Sequence, residues 1–396
     1  MKTRLLFVMN NLTCGGAEKA LVSLLQTLDY SRYEADLLLF KHEGLFMNQL
    51  PGQVNLLAAP PLYPLFDMSA RKALKLALRR GKPLLAVSRL LAGSVYRRPE
   101  SPAVREQRAW KYVSRALPRL DKTYDAAIGF LEKSPVYFVV DKVKASRKLG
   151  YVHNDYDRLG MDPALDDPFF RRLDAIVTVS DECGNVLRNR FPAYADKVRV
   201  VRNIVSPRVI RAMAEERPDW GGREAGARYR LVTVGRLVKQ KGIDLALEAC
   251  KHLVDGGLDV RWFVLGEGEE RPELERAIRR LGMEDRFILL GQRENPYPYV
   301  KQADLYVQPS RFEGKPIAVD EAKILLKPIV LTNFSTARDQ IQSGSNGVIV
   351  EMNARALGEG IRRLLQDEPL RAAFANRLAE ENLGTESEIE KLYELF

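Results

Sequence analysis

The sequence predicts an α/β protein built from two doubly wound, Rossmann-like domains. Short apolar runs rich in Val, Ile and Leu recur along the chain without polar alternation, as strands buried on both faces require. Amphipathic stretches such as "GIDLALEACKHLV" and "RPELERAIRRLG" stand between them, the alternation of a parallel sheet covered by helices. At 396 residues the chain also exceeds what one compact core accommodates.

In the first half, strands are predicted at Leu5–Met9, Ala35–Phe40, Val54–Ala58, Asp125–Phe130, Lys148–Val152, Ala175–Val179 and Val198–Val201, with a helical region from about Ser69 to Leu120 interrupting them. The second half is more regular, with strands at Arg230–Val234, Val260–Leu265, Phe287–Leu290, Leu305–Gln308, Ile329–Thr332 and Val348–Val350. The polar, Gly-rich stretch from Pro207 to Arg230 holds the interdomain linker. From Glu368 onward the pattern is two or three short helices. The predicted division is 1–206, a linker at 207–228, a second domain at 229–375 and a helical segment at 376–396. Two such domains imply a cleft between the carboxyl ends of their sheets, where ligands bind.

A hydrophobic fraction of 46% is ordinary for a soluble globular protein. Cys14, Cys183 and Cys250 lie far apart, so a reducing compartment is expected, with no disulfide framework and no cysteine-built zinc site. The apolar run near the start is too brief for a signal peptide, and no stretch is long enough to span a membrane. The net charge of +10 is concentrated: Pro61 to Gly150 carries 20 Lys/Arg against 7 Asp/Glu. That bias suits an anionic partner: a phosphorylated substrate, an acidic membrane surface or, last in order, nucleic acid, for which no recognition motif accompanies the charge.

Four motifs fall at predicted carboxyl strand ends. In "NNLTCGGAEKALVSLL", Gly15 and Gly16 let backbone approach a ligand, and the free amides of the following helix suit an anion; a plain tight turn is the alternative. In "TVGRLVKQKGIDLALEA", Arg236 and Lys241, with Lys239 as a substitute, can neutralise a diphosphate, guanidinium as a fork and ammonium as a point charge. They can equally be solvated surface cations.

In "SRFEGKPIAVDEA", Pro316 is expected at the first helical position, and Glu321 lies just over one turn in. Glu321 can accept two hydrogen bonds from a vicinal diol such as a ribose, and Glu313 can accept from sugar hydroxyls; the alternative is a pair of surface acids. In "GYVHNDYDR", His153 ends a strand and can bond a hydroxyl or move a proton; the alternative is a structural cap. Asp155-Tyr156-Asp157 has the spacing of a DxD triplet, but Arg158 follows it directly, so the metal signal is weak, and a histidine-rich metal site is unsupported. The GxG of "LGEGEERP" lacks the third glycine of a dinucleotide fingerprint and reads as a turn.

As a set, these residues resemble the family 4 retaining glycosyltransferases of the GT-B fold, of the bacterial surface-polysaccharide type. "GRLVKQKG" is similar to that family's diphosphate-binding segment, "EGKPIAVDE" to its E-x7-E motif, "CGGAEKAL" to its N-terminal glycine loop and "YVHND" to the segment bearing its active-site histidine. The likeness departs at Lys315-Pro316 and Asp320 inside the E-x7-E stretch, where Lys315 would add charge near the donor. It departs again at Ser335 and Thr336, where a Gly-Gly pair is common.

The resemblance implies two Rossmann-like domains facing each other across a cleft, the first for the acceptor and the second for the donor. A last helix, about Glu386 to Phe396, would cross back to the first domain. It implies a nucleotide-sugar donor, a UDP-sugar first and GDP-mannose next, and a glycan or lipid-linked glycan acceptor. The base would meet Gly291 and Gln292, the ribose Glu321, and the remaining donor contacts would come from Gly15, Gly16, Glu313, Gly314, Lys315, Pro316 and Ile317. Catalysis would rest on His153, Glu313, Arg236 and Lys241, with no cofactor and no metal. The protein would be cytoplasmic and peripheral on the inner face of the plasma membrane. Residues 69–98, read as a helix mixing leucines with Arg and Lys, would rest on an anionic bilayer or pack their leucines on the core. Three other activities stay open: an inverting transferase with His153 as base, a sugar-nucleotide epimerase, and a non-catalytic nucleotide-sugar-binding subunit.

Overall fold

The computed structural model describes residues 2–13, 15–222 and 227–396. The chain divides into two compact units: Met1–Thr13, Ala17–Arg202 and Glu388–Phe396 form the first, Cys14–Gly16 and Asn203–Ser387 the second.

Unit 1 is built on β1 (Thr3–Met9), β2 (Tyr33–Leu39), β3 (Asn55–Leu56), β4 (Thr123–Gly129), β5 (Lys144–Val152), β6 (Ala175–Thr178) and β7 (Val198–Val200). They make one sheet in the order β3-β2-β1-β4-β5-β6-β7, and every pairing is parallel. Unit 2 is built on β8 (Tyr229–Val234), β9 (Val260–Leu265), β10 (Phe287–Gly291), β11 (Leu305–Gln308), β12 (Ile329–Thr332) and β13 (Val348–Val350). Its order is β10-β9-β8-β11-β12-β13, again all parallel.

The central strands are apolar on both faces because helices cover both: Leu5 to Met9 of β1 are fully buried. Polar chemistry is thereby pushed to the strand ends. In each sheet the order reverses once, between β1 and β4 and between β8 and β11. At those switch points the loops after two neighbouring strands diverge, which opens a crevice at the carboxyl edge.

Every expected strand is present among the described residues, within a few residues of its predicted ends. Three expectations about helices need correction. The leucine-rich stretch 69–98 is two helices, Ala70–Arg79 and Pro83–Tyr96. Gly81 takes a left-handed φ of 65° between them and Pro83 restarts the chain, so no continuous helix is possible there. The expected linker at 207–228 begins as the helix Pro207–Met213, and its Trp220 is buried against Phe263, with ring centroids 4.5 Å apart; the linker's residues 223–226 lie outside the described residues. The helical segment expected at 376–396 is divided: the helix Glu368–Glu380 belongs to unit 2, while the returning helix, expected at about Glu386 to Phe396, is Glu388–Tyr393 and belongs to unit 1.

The returning helix, Glu388–Tyr393, is held in unit 1 by burial and by its caps. Leu392 is fully buried, the Tyr393 ring stacks on Tyr33 at 4.6 Å, and the Asp29 amide donates to the Tyr393 hydroxyl at 2.9 Å. Glu388 Oε2 accepts from the Arg202 amide at 3.0 Å. No helix among the described residues is long and apolar enough to cross a membrane.

Truncating Leu392 to Ala removes a buried side chain that fixes this helix. The expected loss is about 2–4 kcal/mol, read as a lower urea midpoint for the unit 1 transition.

Candidate functional site

The switch point of unit 2 gathers most of the residues singled out in the sequence. β8 ends at Val234, and the chain runs through Gly235 and Arg236 into a short 3₁₀ turn, Lys239–Lys241, before the helix Ile243–Asp255. Gly242 joins turn to helix with φ 65°, and a Cβ there would lie 2.0 Å from the Pro309 carbonyl oxygen. Only glycine allows this loop to press against the end of β11. Gly266 and Gly268, correctly read as a turn, serve the same loop. Side chains at those positions would collide with the carbonyl oxygens of Gly235 and Leu237, at 1.9 and 2.3 Å.

The three cations of this loop have different fates. Lys239 turns outward to Asp244 at 2.8 Å, where Arg311 also binds through both guanidinium nitrogens at 2.8 Å each. Burial opposes ionisation of Asp244, but the bonds from Arg311 and Lys239 outweigh it and hold its pKa down at about 2. This pair of bonds straps the β8 loop to the β11 loop. Lys241 points inward and donates to Glu313 Oε1 at 2.6 Å. Arg236 stands exposed, and its guanidinium has no partner among the described residues.

Glu313 is not a surface acid. It is buried, and its Oε1 accepts from Lys241, from Ser310 Oγ at 2.5 Å and from Gln308 Nε2 at 3.2 Å. Tyr306 fixes the Gln308 amide from the other side at 2.5 Å, and Thr336 Oγ1 donates to the Glu313 carbonyl at 3.0 Å. Ser310 and Gln308 were not singled out in the sequence, and Thr336 was noted only as a departure from the family pattern. Their signal was faint: polar side chains within or just after apolar strands, which a buried sheet tolerates only when they are bonded.

The helix carrying Glu321 runs Ile317–Ile324, so Pro316 is its cap, in extended conformation, and not its first helical residue. The restriction that proline places on the residue before it keeps the Gly314–Lys315 step out of the helix. Glu321 is also buried, and Tyr297 OH donates to its Oε1 at 3.1 Å. Lys315 adds no free charge to this neighbourhood. Its ammonium meets both carboxylate oxygens of Asp320, at 2.8 and 2.7 Å, with the side chains 8% and 11% exposed. The two departures from the family pattern are therefore partners, and they neutralise each other. Gly291 ends β10 with φ 77° and places its carbonyl on the Gly266 amide at 2.9 Å; Gln292 follows it at the same edge.

Gly16 opens the helix Gly16–Thr27, whose body from Ala17 onward belongs to unit 1, and a Cβ at Gly16 would meet open space. Gly15 precedes it, and Cys14 lies outside the described residues. The preceding residues are braced by the segment at 43–46, whose Leu45 and Phe46 amides donate to the Thr13 and Leu12 carbonyls. At the end of β1, Asn10 Oδ1 is buried without a hydrogen-bond partner among the described residues, an acceptor the motif reading passed over.

His153 ends β5 and is buried, less open than a free acid–base group would be. Its Nε2 donates to the Phe130 carbonyl at 3.1 Å, which fixes the neutral tautomer and leaves Nδ1 as the acceptor. Burial pushes its pKa down to about 4, against the Phe130 bond, which raises it. The Glu132 carboxylate accepts from the His153 amide at 3.1 Å. The next residue, Lys133, holds a left-handed φ of 68° and pairs with Glu106. Such strain in a non-glycine residue at a switch-point loop is a feature of functional sites. The neighbouring carboxylates are spent: Asp155 Oδ1 accepts from the Asp157 amide, and Asp157 pairs with Arg190. Among the described residues no group of three His, Cys, Asp or Glu side chains is placed to hold a metal ion.

Unit 1 also contains a cavity of about 520 Å³. Tyr63, Phe66 and Tyr96 give it aromatic walls, and Asp67, Arg105 and Glu106 give it charged ones.

Comparison with known proteins places these features in a wider setting. Residues 217–380 match the family described as glycosyl transferases, group 1. The alpha-D-kanosaminyltransferase of Streptomyces kanamyceticus is 26% identical over 218 residues, covering 53% of this chain and 55% of that protein. An N-acetylgalactosaminyltransferase of Campylobacter jejuni that acts on a diphospho-undecaprenol-linked acceptor is 32% identical over 149 residues, 37% of this chain and 40% of that protein. The chain spans about half the length of the curated relatives it matches.

Solved structures match across the whole chain. TarM of S. aureus, in complex with UDP and alpha-GlcNAc-glycerol, aligns over 100% of this chain and 99% of its own with a TM-score of 0.69 at 15% identity. Anabaena HepE, with UDP and glucose, aligns over 99% and 98% with a TM-score of 0.71 at 15% identity. The fold is GT-B.

Two outcomes follow from the geometry. Asp320→Ala leaves a buried ammonium unpaired and is expected to cost about 3–5 kcal/mol, most of it regained in Lys315→Met/Asp320→Leu, as urea melts of the two variants would show. The second concerns acid stability. The folded state holds His153 neutral down to about pH 4, whereas the unfolded chain protonates near 6.5. Between those values the unfolded state binds the extra proton, so this stabilisation is complete above 6.5 and is lost as pH falls, by up to about 3 kcal/mol. Asp166, raised to about 6 by burial against its tyrosine hydrogen bonds, acts with the opposite sign in an overlapping window. The difference between wild type and His153→Gln across that range isolates the imidazole.

Proposed function

We propose that the chain is a retaining glycosyltransferase. It moves a sugar from a nucleotide-sugar, a UDP-sugar first and GDP-mannose next, to a hydroxyl of a glycan or lipid-linked glycan in surface-polysaccharide synthesis. The observation that carries this reading is the pair of buried glutamates at the unit 2 switch point, beside one spent and one unspent cation. The match of residues 217–380 to group 1 glycosyl transferases and the UDP-bound neighbours of the same fold support it.

In this reading Arg236 grips the diphosphate, because it is the cation with no internal carboxylate to satisfy. Lys241 keeps Glu313 in place with one proton and has two more to offer phosphate oxygens. Glu313 uses its second oxygen, which no described residue bonds, for the sugar hydroxyls. Glu321, steadied by Tyr297, takes the ribose diol. Gly291 and Gln292 present backbone to the base. The amides of Gly314 to Ile317 face the phosphates, with Lys315 and Pro316 shaping that turn. Charge that develops on the departing diphosphate is met by Arg236 and Lys241, so the two cations do what a divalent ion does in metal-dependent transferases.

A histidine with a pKa near 4 is a weak base at neutral pH, which speaks against an inverting mechanism that draws on it. We assign His153 to holding a substrate hydroxyl through Nδ1. Asn10 stands at the β1 side of the unit 1 switch point, and Gly15 and Gly16 follow in the loop after that strand. The aromatic and carboxylate walls of the 520 Å³ cavity suit a sugar ring, which stacks its apolar face and donates its hydroxyls. We assign the acceptor to unit 1 on that ground.

Calorimetry with UDP, GDP and UMP tests the donor half. UDP should bind, and Glu321→Ala should weaken both UDP and UMP. Arg236→Ala should weaken UDP by about 10- to 100-fold, a loss of about 1.5–3 kcal/mol, while leaving UMP nearly unchanged. If no nucleotide binds, the reading fails. Product analysis by NMR with a glycan acceptor then decides the anomer.

A further inference from the structure

We propose that the outer face of helices Ala70–Arg79 and Pro83–Tyr96 is a docking surface for a bilayer that contains anionic lipid. Among the described residues seven large apolar side chains stand exposed, and six of them, Leu78, Leu84, Val87, Leu90, Leu91 and Tyr96, lie on these two helices. Leu84 is the most open, at 78%. At helical spacing Leu84, Val87 and Leu91 form one stripe, and Leu90 widens it. The opposite side of the same helix supplies the core with Leu85, Ala86, Ala92 and Val95. The stripe is therefore not needed for packing within unit 1, and a contiguous exposed apolar face of this kind marks an interaction site.

Charge selects the partner. Residues 69–98 contain nine Arg or Lys and no Asp or Glu. Arg89 turns inward to the Leu65 and Met68 carbonyls, while Arg71, Lys72, Lys75, Arg79, Arg80, Lys82, Arg97 and Arg98 are exposed. None of the nine enters an ion pair with a described residue. Elsewhere in the chain cations are routinely matched, as Arg311 is by Asp244 and Lys315 by Asp320. A second copy of this chain would set eight uncompensated cations against eight more. Nucleic acid would meet the charge but leave the leucine stripe in water. A bilayer satisfies both, with anionic headgroups for the cations and an apolar layer just beneath for the leucines. With no membrane-spanning helix among the described residues, the helices would lie along the surface.

Vesicle sedimentation tests this without donor or acceptor. The purified chain should sediment with phosphatidylcholine vesicles containing about a third phosphatidylglycerol and not with phosphatidylcholine alone, and should come off as salt rises from about 0.1 to 1 M. Leu84→Ser/Leu91→Ser and Arg79→Glu/Arg80→Glu/Lys82→Glu should each lower the partition at least about tenfold. Both change exposed side chains, so circular dichroism and UDP binding should stay as in wild type. Failure to sediment with anionic vesicles, equal binding to neutral ones, or indifference to the leucine variant overturns the proposal. So does light scattering that shows a dimer which Leu84→Ser/Leu91→Ser dissociates, because the stripe is then a self-interface.

Discussion

A carboxylate taken out of water must be paired, and the unit 2 site is organised by that requirement at Glu313. Its partner, Lys241, lies 72 residues away in sequence, and the two meet because β8 and β11 are neighbours at the reversal of the sheet. Meeting at 2.6 Å demands close loops, and close loops demand Gly242 with its left-handed backbone against Pro309. The Arg311–Asp244 strap holds the same two loops from the solvent side. A buried ion pair is weak evidence for stability, since desolvation offsets much of its attraction, but it is strong evidence for register. Here it decides which of the loop's cations remain available, and Arg236 is the one left without a carboxylate.

The fold was legible because a parallel sheet covered on both faces writes its strands as uninterrupted apolar runs. Strands such as Val260–Leu265, Leu305–Gln308 and Ile329–Thr332 coincide with such runs, the last two closing on one buried polar residue each. Glu313 and Glu321 could be picked out as a pair, but not as buried residues, because spacing carries no information about what lies across the sheet. The same blindness assigned Lys315 a free charge. Its partner Asp320 sits five residues on, a separation that is not a helical neighbour relation, and the pairing needs the turn at Pro316 to bring the two together. Gln308 and Ser310 were missed for the converse reason. Each is an ordinary polar residue whose role appears only when one counts what a buried carboxylate must accept. His153 was placed at the right strand end, yet its burial and its bond to Phe130 come from a neighbouring strand that local sequence cannot show.

The two units handle positive charge in opposite ways, and the contrast bears on what each is for. In unit 2 the cations near the switch point are mostly answered by acids within hydrogen-bonding reach, so that a local field is spent on geometry, and among the described residues of the β8 loop Arg236 is the cation without a carboxylate. In the helical excursion of unit 1, eight cations project together with a leucine stripe between them and no acid nearby. Repulsion among like charges on adjacent turns costs a helix a few tenths of a kcal/mol per pair. A fold that needed these helices only as covers for its sheet could place Glu among the lysines at no loss to the core, since the buried face is set by Ala73, Ala77, Leu85 and Ala86. On the docking proposal, the outward residues answer to a surface outside the chain. Tyr96, the last residue of the helix that carries the stripe, lines the wall of the 520 Å³ cavity, so the cavity lies at the end of that helix. For the lipid-linked acceptor proposed above, docking of that helix on a bilayer would bring the cavity to the surface in which the acceptor is anchored.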